Sequence, residues 1–378
     1  MDKIHPRRAK FNQTTELSPP STPHFFRKKS CLLLTHFLFY RIINTDKQTR
    51  TERYMTQREL AKTLNITQAA VSMALKGSPR ISPEVRESVR KLAENSGYRL
   101  NLAGQMLRRN RSNVIGTIFP RLTNLYYAEL FQEIQQQLQP HGYILSLTPA
   151  ETAEELHRAV ANLQQMHVAG VISSAYQTEP LLPLKEAGIA LVLCGGYKRV
   201  EIGASQILPD YHQPILMLTR RLIADGRRHI AFFGADIPEE QRYNAYLTVL
   251  QEAGLTPLPI FLPRSTASGY MDSAFDAVRH HLLEHPETDA IIAHHDELAL
   301  VARRAILQTG RSIPQDVALT GFDNISIGRY VTPSLTTVEQ PQKQIARSII
   351  HELLESMKDP GHREFISIPC RLVIRESI

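Results

Sequence analysis

From Asn113 onward the sequence alternates short β-branched runs with longer amphipathic stretches, and few architectures tolerate that alternation. Runs such as "NVIGTIFP", "ILSLTP", "AGVISSA", "ALVLCGG", "HIAFFGA", "DAIIAHHD" and "VALTGFD" are separated by segments with apolar residues at helical spacing, for example "YYAELFQEIQQQLQPHGY" and "LALVARRAILQTG". Strand, helix, strand in this order predicts α/β units with parallel sheets and right-handed crossovers. No period short enough for a solenoid occurs. Neither G-x-G-x-x-G nor G-x-x-x-x-G-K-[ST] is present, which excludes the usual phosphate-binding loops. With 378 residues, 42% of them apolar, the chain can bury two or three domain cores.

Ahead of that body, the punctuation is of another kind. Thr56 followed by Glu59 forms a T-x-x-E capping box, predicting a helix start, and Leu60 and Leu64 then share one face. Asn65 suits the left-handed position that ends such a helix. Thr67 can cap a second helix over Gln68 to Lys76, carrying Val71 and Leu75 and stopped by Gly77. Ser82 and Pro83 open a third, whose Val85, Val89 and Leu92 close a small core before Gly97. Beyond Tyr98, Asn101 can cap a short helix running to Leu107. Two short helices joined by so tight a turn predict a DNA-binding helix-turn-helix.

Charge supports that reading. Residues 55 to 113 carry 11 Lys/Arg against 4 Asp/Glu, and residues 1 to 54 carry the same numbers, so each stretch holds +7 while the remainder holds 22 against 29, or −7. A basic front on an acidic body confines phosphate attraction to the head. Arg58, Lys62, Lys76, Arg80, Arg108, Arg109 and Arg111 are the expected phosphate contacts. Cys31, Cys194 and Cys370 show no C-x-x-C spacing, which argues against a zinc ribbon or disulfide framework and fits a reducing cytoplasm. The stretch "RKKSCLLLTHFLFYRII" imitates a signal peptide, but it lies far from Met1, lacks a small-residue cleavage site and is too short to span a bilayer. Residues 1–54 are expected to be a disordered basic extension.

The segments "MTQRELAKTLNITQAAVSMALKG" and "ISPEVRESVRKLAENSGYRLNLAGQMLRRNRSNVIGTI" resemble the head and hinge of the lactose-repressor/galactose-repressor family of bacterial transcription regulators, and the similarity continues to the C-terminus. Members of that family usually begin just before the first helix, so the resemblance implies a natural start at Met55. The resemblance implies a helix-turn-helix three-helix head (55–100), a hinge helix and linker (101–112), and a two-lobed periplasmic-binding-protein-like (type I) domain with parallel sheets (113–378). It places lobe one at about 114 to 205 plus a strand after Asp323, and lobe two in the remainder. Carried over by position, Gln68, Ala69 and Met73 face base edges in the major groove, with Thr67 and Ser72 also expected to bind DNA. Arg80 and Asn101 flank them, and Leu107 wedges into the minor groove. Met73 stands where relatives often place Arg and cannot make Arg's bidentate contact to guanine. Gly104 weakens the hinge helix by roughly 1 kcal/mol relative to alanine.

For the body, the resemblance implies an effector cleft between the lobes. Asn124, Tyr126 and Tyr127 match an aromatic segment after the first strand, Arg242 the family's Arg ahead of a helix, a rigid donor fork, and His295 and Asp296 an Asn-Asp pair. Cys194 replaces an Asp that sugar-binding relatives use. The expected partners are near-palindromic double-stranded operator DNA, a small polar effector, a sugar first among candidates, and a second copy of the chain; no cofactor, metal or membrane is implied. Plainer roles stand beside these: Arg242 and Asp296 as a structural ion pair, Tyr126 and Tyr127 as packing. His281 and His285 have the i, i+4 spacing of a shared zinc, yet without H-E-x-x-H their charged surroundings favour a solvated face. A sugar hydrolase using Asp296 and Asp323, or a sugar-binding protein without DNA regulation, is the rival reading; no motif sets up paired carboxylates.

Overall fold

A computed structural model describes residues 55–98, 112–120, 124–175, 177–196, 198–235, 241–262 and 269–378. The chain divides into two compact units at Leu100.

In the first unit, α1 (Gln57–Thr63), α2 (Gln68–Leu75) and α3 (Pro83–Asn95) begin and end where the punctuation predicts. Thr56 Oγ1 accepts from Glu59 N, and Glu59 Oε2 accepts from Thr56 N at 2.7 Å, so each residue satisfies a donor that a helix start leaves orphaned. Asn65 takes φ 52° between the first two helices. Thr67 Oγ1 caps α2 through Ala70 N, and Ser82 caps α3 with Pro83 in its first turn. Leu60, Val71 and Val89, one from each helix, are fully buried and centre the core.

The second unit has two lobes. Lobe one is a six-stranded parallel sheet in the order β11-β5-β4-β3-β1-β2, made from β1 (Val114–Phe119), β2 (Ile144–Pro149), β3 (Gly170–Ser173), β4 (Ala190–Cys194), β5 (Ser205–Asp210) and β11 (Phe365–Pro369). Strands β3 and β4 are buried along their whole length, as a sheet covered on both faces requires. One face is covered by α4 (Leu125–Leu138) and α11 (Gln342–Lys358) through Leu130, Ile134, Ile345 and Ile349; the other by α5 (Ala153–Gln165) through Leu156, Val160 and Leu163. A short helix, α6 (Leu182–Glu186), precedes β4.

Lobe two is a four-stranded parallel sheet, β7-β6-β8-β9, from β6 (Ile230–Ala235), β7 (Leu258–Leu262), β8 (Ala290–Ala293) and β9 (Ala318–Thr320). Helices α7 (His212–Ala224) and α8 (Gln241–Ala253) contribute Leu218, Leu222, Tyr246 and Leu250 to one core. Helices α9 (Tyr270–Glu284) and α10 (Asp296–Gln308) contribute Val278, Leu282, Ala302 and Ile306 to the other.

The chain passes between lobes three times: from Asp210 to His212, from β10 (Thr337–Glu339) into α11, and from Pro369 into β12 (Arg371–Val373), which pairs antiparallel with β10. The lobe boundary therefore differs from the expected one. Lobe one runs to Asp210 and reclaims α11 as well as a late strand, because β11 pairs with β5 rather than with any lobe-two strand. The last residues are threaded into lobe two: Leu319 N donates to Ser377 O at 2.8 Å, and Ser377 Oγ accepts from Thr336 N and donates to Leu319 O. Among the described residues no helix is long and apolar enough to cross a membrane.

Candidate functional site

The head presents one side of α2 away from its core. Gln68, Ala69, Ser72 and Met73 recur at helical spacing on α2, Gln68 and Ala69 exposed and Ser72 and Met73 half-buried, while Val71 and Ala74 turn into the core. Thr67 is exposed at the N-terminus of α2, where its hydroxyl is already used as the cap. Arg58, Lys62, Lys76 and Arg80 are all exposed. Asn101 and Leu107, with Gly104 and the arginines at 108, 109 and 111, lie outside the described residues.

In the body, a cavity of about 360 Å³ lies between the lobes at the C-terminal ends of the sheet strands, where open parallel sheets place their ligands. Six of the seven residues expected there line it: Asn124, Tyr126, Tyr127, Cys194, Arg242 and His295. Asn124 caps α4, its Oδ1 accepting from Tyr126 N at 2.9 Å. Tyr126 and Tyr127 meet edge-on with centroids 5.2 Å apart, and Tyr127 leans on Phe119 at 5.4 Å. The Tyr126 hydroxyl donates to Gln340 Oε1 at 3.0 Å. Burial pushes the Cys194 thiol up to about 12, so it stays a neutral wall residue and not a nucleophile. His295 caps α10 with Nδ1, which accepts from Leu298 N at 3.3 Å.

Asp296 is the seventh, and the structure places it elsewhere. It is completely buried and absent from the cavity wall. Its Oδ2 accepts from Ile325 N at 2.8 Å and its Oδ1 from the Thr337 hydroxyl at 2.6 Å, so it fastens the strand-to-crossover segments behind the cavity. The carboxyl that does reach the cavity is Asp323, 7% exposed, with Oδ1 accepting from Gln340 Nε2 at 2.7 Å. Its backbone is left-handed at φ 107°, a costly conformation for a non-glycine residue of the kind that collects at functional sites. Burial, and then the charge of Asp296, hold its carboxyl well above the usual range despite the opposing pull of Arg242.

Arg242 is the cation among the described residues of the cavity wall. It is 7% exposed, with its guanidinium 5.1 Å from the Tyr211 ring centroid and 4.7 Å from that of Phe322. Nη1 donates to the His294 carbonyl at 2.8 Å and Nη2 to His294 Nε2 at 2.5 Å. Sequence reasoning passed over His294, Glu151, Ser174, Tyr211, Tyr270 and Gln340 as effector contacts and named Asp323 only in the rival hydrolase reading; all of them line the cavity. For three of them the signal was position: Ser174 and His294 directly follow strand ends, and Asp323 lies three residues past the end of β9.

His281 and His285 stack at 4.8 Å, but His281 is buried and bonds through Nε2 to the Thr288 hydroxyl at 3.1 Å, while His285 bonds Glu287. The face is thus not solvated at His281. Among the described residues no cluster of three or more His, Cys, Asp or Glu could hold a metal ion.

A basic three-helix head ahead of a two-lobed, parallel-sheet binding body defines a ligand-controlled regulator of transcription. Comparison with known proteins agrees. Residues 47–85 match a helix-turn-helix model and residues 219–378 a periplasmic binding protein-like domain. The chain is 28% identical over 328 residues to catabolite control protein A of Priestia megaterium, covering 84% of this chain and 98% of that one. It is 29% identical over 332 residues to the ribose operon repressor of Halalkalibacterium halodurans, covering 85% and 96%. Among solved structures, the lac repressor dimer bound to operator superposes with TM-score 0.73 at 19% identity, over 86% of this chain and 99% of that one, a likeness of fold. The CelR–cellobiose complex superposes at 0.61 with 25% identity, over 86% and 100%. The chain thus resembles the lactose-repressor/galactose-repressor family over most of its length, and the relatives it matches are DNA-binding transcription regulators.

Proposed function

We propose that this protein is a repressor that binds a near-palindromic operator as a homodimer and is switched by a saccharide held between its lobes. The supporting observation is the cavity itself: tyrosine faces on lobe one oppose a fixed, buried guanidinium fork on lobe two, with Asp323 and Gln340 between them. Apolar sugar faces stack on aromatic rings, and vicinal hydroxyls match a planar fork of N–H donors. The ribose operon repressor and the cellobiose complex among its relatives support a sugar over other small polar molecules.

In this reading Asn124, Tyr126, Tyr127, Cys194, Arg242 and His295 surround the effector, and Asp323 replaces Asp296 as the acidic member. On DNA, Thr67, Gln68, Ala69, Ser72 and Met73 face the major groove, Arg80 and Asn101 approach the backbone, and Leu107 enters the minor groove. The domains are a basic extension (1–54), head (55–100), hinge (101–112) and effector body (113–378). A two-fold dimer places paired recognition helices one DNA turn apart. Effector and operator affinity are then reciprocally coupled.

Fluorescence anisotropy with DNA from upstream of the protein's own gene tests this. Tight binding that falls steeply with salt, exceeds binding to random DNA and changes on addition of D-ribose, cellobiose or lactose is the expected result. Equal affinity for the two DNAs across the salt range overturns the operator assignment, and the absence of any response to the three sugars overturns the saccharide assignment.

A further inference from the structure

Gln340 stands on a crossover between the lobes, directly after β10 and just ahead of α11. Its one amide group has partners on both sides of that boundary. Oε1 accepts from the hydroxyl of Tyr126, on α4 of lobe one, at 3.0 Å, and Nε2 donates to Oδ1 of Asp323, past the end of β9 in lobe two, at 2.7 Å. Tyr126 has other contacts, the Tyr127 ring and Gln342 Nε2 among them, so on that side Gln340 is one support of several. For the Asp323 carboxyl it is the hydrogen-bond partner among the described residues. The Asp323 backbone is tied to the same crossover, its N–H donating to Val338 O at 2.8 Å and its strand bridge running to Glu339.

We propose that Gln340 is a positioning residue for effector binding, holding the Asp323 carboxyl at the cavity and tying it to Tyr126 across the lobe boundary. This rests on the assignment of the cavity as the saccharide site. A sugar hydroxyl needs an acceptor that is already in place; a carboxyl left to rotate must be ordered by the effector, at an entropic cost. Glutamine suits the task because one planar group offers both an acceptor and a donor. An apolar side chain there would leave Asp323 Oδ1 without its donor, and asparagine, one methylene shorter, reaches one partner but not both.

Two further observations fit. Asp323 and Gln340 line the effector cavity and also a second, polar cavity of about 480 Å³ that includes Glu129, Arg329, Gln342 and Lys343. The pair is therefore a partition built of side chains, and parting it would admit water behind the effector. A donated hydrogen bond also favours the charged carboxylate. The Gln340 amide thus opposes the burial and the Asp296 charge that push the Asp323 carboxyl up, which favours the form that accepts from hydroxyls.

The test has an arm that needs no effector. Urea unfolding midpoints of the full-length protein are compared for the wild type, Gln340→Met, Asp323→Gly and the double variant, glycine being suited to the left-handed backbone at position 323. The shift in the double variant should fall short of the sum of the single shifts; strictly additive shifts overturn the pairing. Should Gln340→Met not fold, Gln340→Asn takes its place in the cycle. The second arm follows stabilisation by D-ribose, cellobiose and lactose. For whichever sugar stabilises the wild type, Gln340→Met and Gln340→Asn should each weaken apparent affinity about tenfold. Affinity within about twofold of the wild type in either variant overturns the positioning role, even where the urea midpoint falls. A wild type that responds to none of the sugars sinks the saccharide assignment on which the effector arm stands, and the urea cycle still decides the geometry.

Discussion

Asp296 shows how a residue can match a functional motif by position and still be committed to architecture. Its two oxygens serve Ile325 N and the Thr337 hydroxyl in a fully buried setting. Asp296→Ala leaves both donors buried without an acceptor, and unmade hydrogen bonds of this kind cost about 1–3 kcal/mol each. The expected result is a loss of roughly 3 kcal/mol in urea unfolding of the purified protein; a loss below 1 kcal/mol would contradict the pinning role. Gly321 belongs to the same construction, since a Cβ there would lie 2.1 Å from Asp296 Oδ1, so Gly321→Ala should destabilise in parallel. The resemblance ranked Asp296 above Asp323, which it left to the rival hydrolase reading. Which one reaches the cavity depends on the crossover from β9 to β10, a long-range arrangement invisible to local pattern.

At the scale of elements, the head was legible almost residue by residue, because caps and left-handed terminators act within four residues of where they stand. Thr56, Asn65, Thr67, Ser82 and Gly97 all do what their chemistry dictates. Thr67→Ala should remove the cap of α2 and cost the head about 1 kcal/mol, measured by thermal unfolding of the full chain; an unchanged head transition would show the cap to be idle. Helix α9 was less legible. Spacing set His281 and His285 on one face, but only the fold reveals that His281 is buried against Thr288, with burial bringing its imidazole down to about 4. Its folded value lies below its unfolded one, so the unfolded chain takes up the proton first as pH falls. Stability is therefore full above about 6.5 and declines as pH approaches 4. Unfolding midpoints across that window should drop less in His281→Gln than in the wild type, and parallel pH profiles would remove His281 as a cause.

For the whole body, alternation of strand and helix predicted parallel sheets correctly but not which strand joins which sheet. The reach of α11 and β11 back to lobe one follows from pairing over a long sequence separation, which no window of residues records. The same body carries polar clasps between lobes: Glu297 Oε1 accepts from Leu125 N at 3.0 Å, at the first turn of α4, and Glu129 Oε1 accepts from Ser326 N at 3.1 Å. A carboxylate at a helix N-terminus is stabilised by the exposed amides and the helix dipole. Glu297→Ala should speed hydrogen exchange at the amide of Leu125 and raise the radius of gyration in solution scattering. Unaltered exchange at that amide would show that the clasp does not restrain the lobes.

The threading of the last residues also governs the order in which the molecule comes into being. Residues 55–98 hold a closed core of their own, whereas the lobe-one sheet lacks its edge strand until Phe365–Pro369 has emerged, and Leu319 N of β9 lacks its acceptor until Ser377 has. On the ribosome the DNA-reading head is thus finished early and the part that listens for the effector is finished last. Between those moments the cell holds a reader without its control, tethered near the messenger RNA that encodes it.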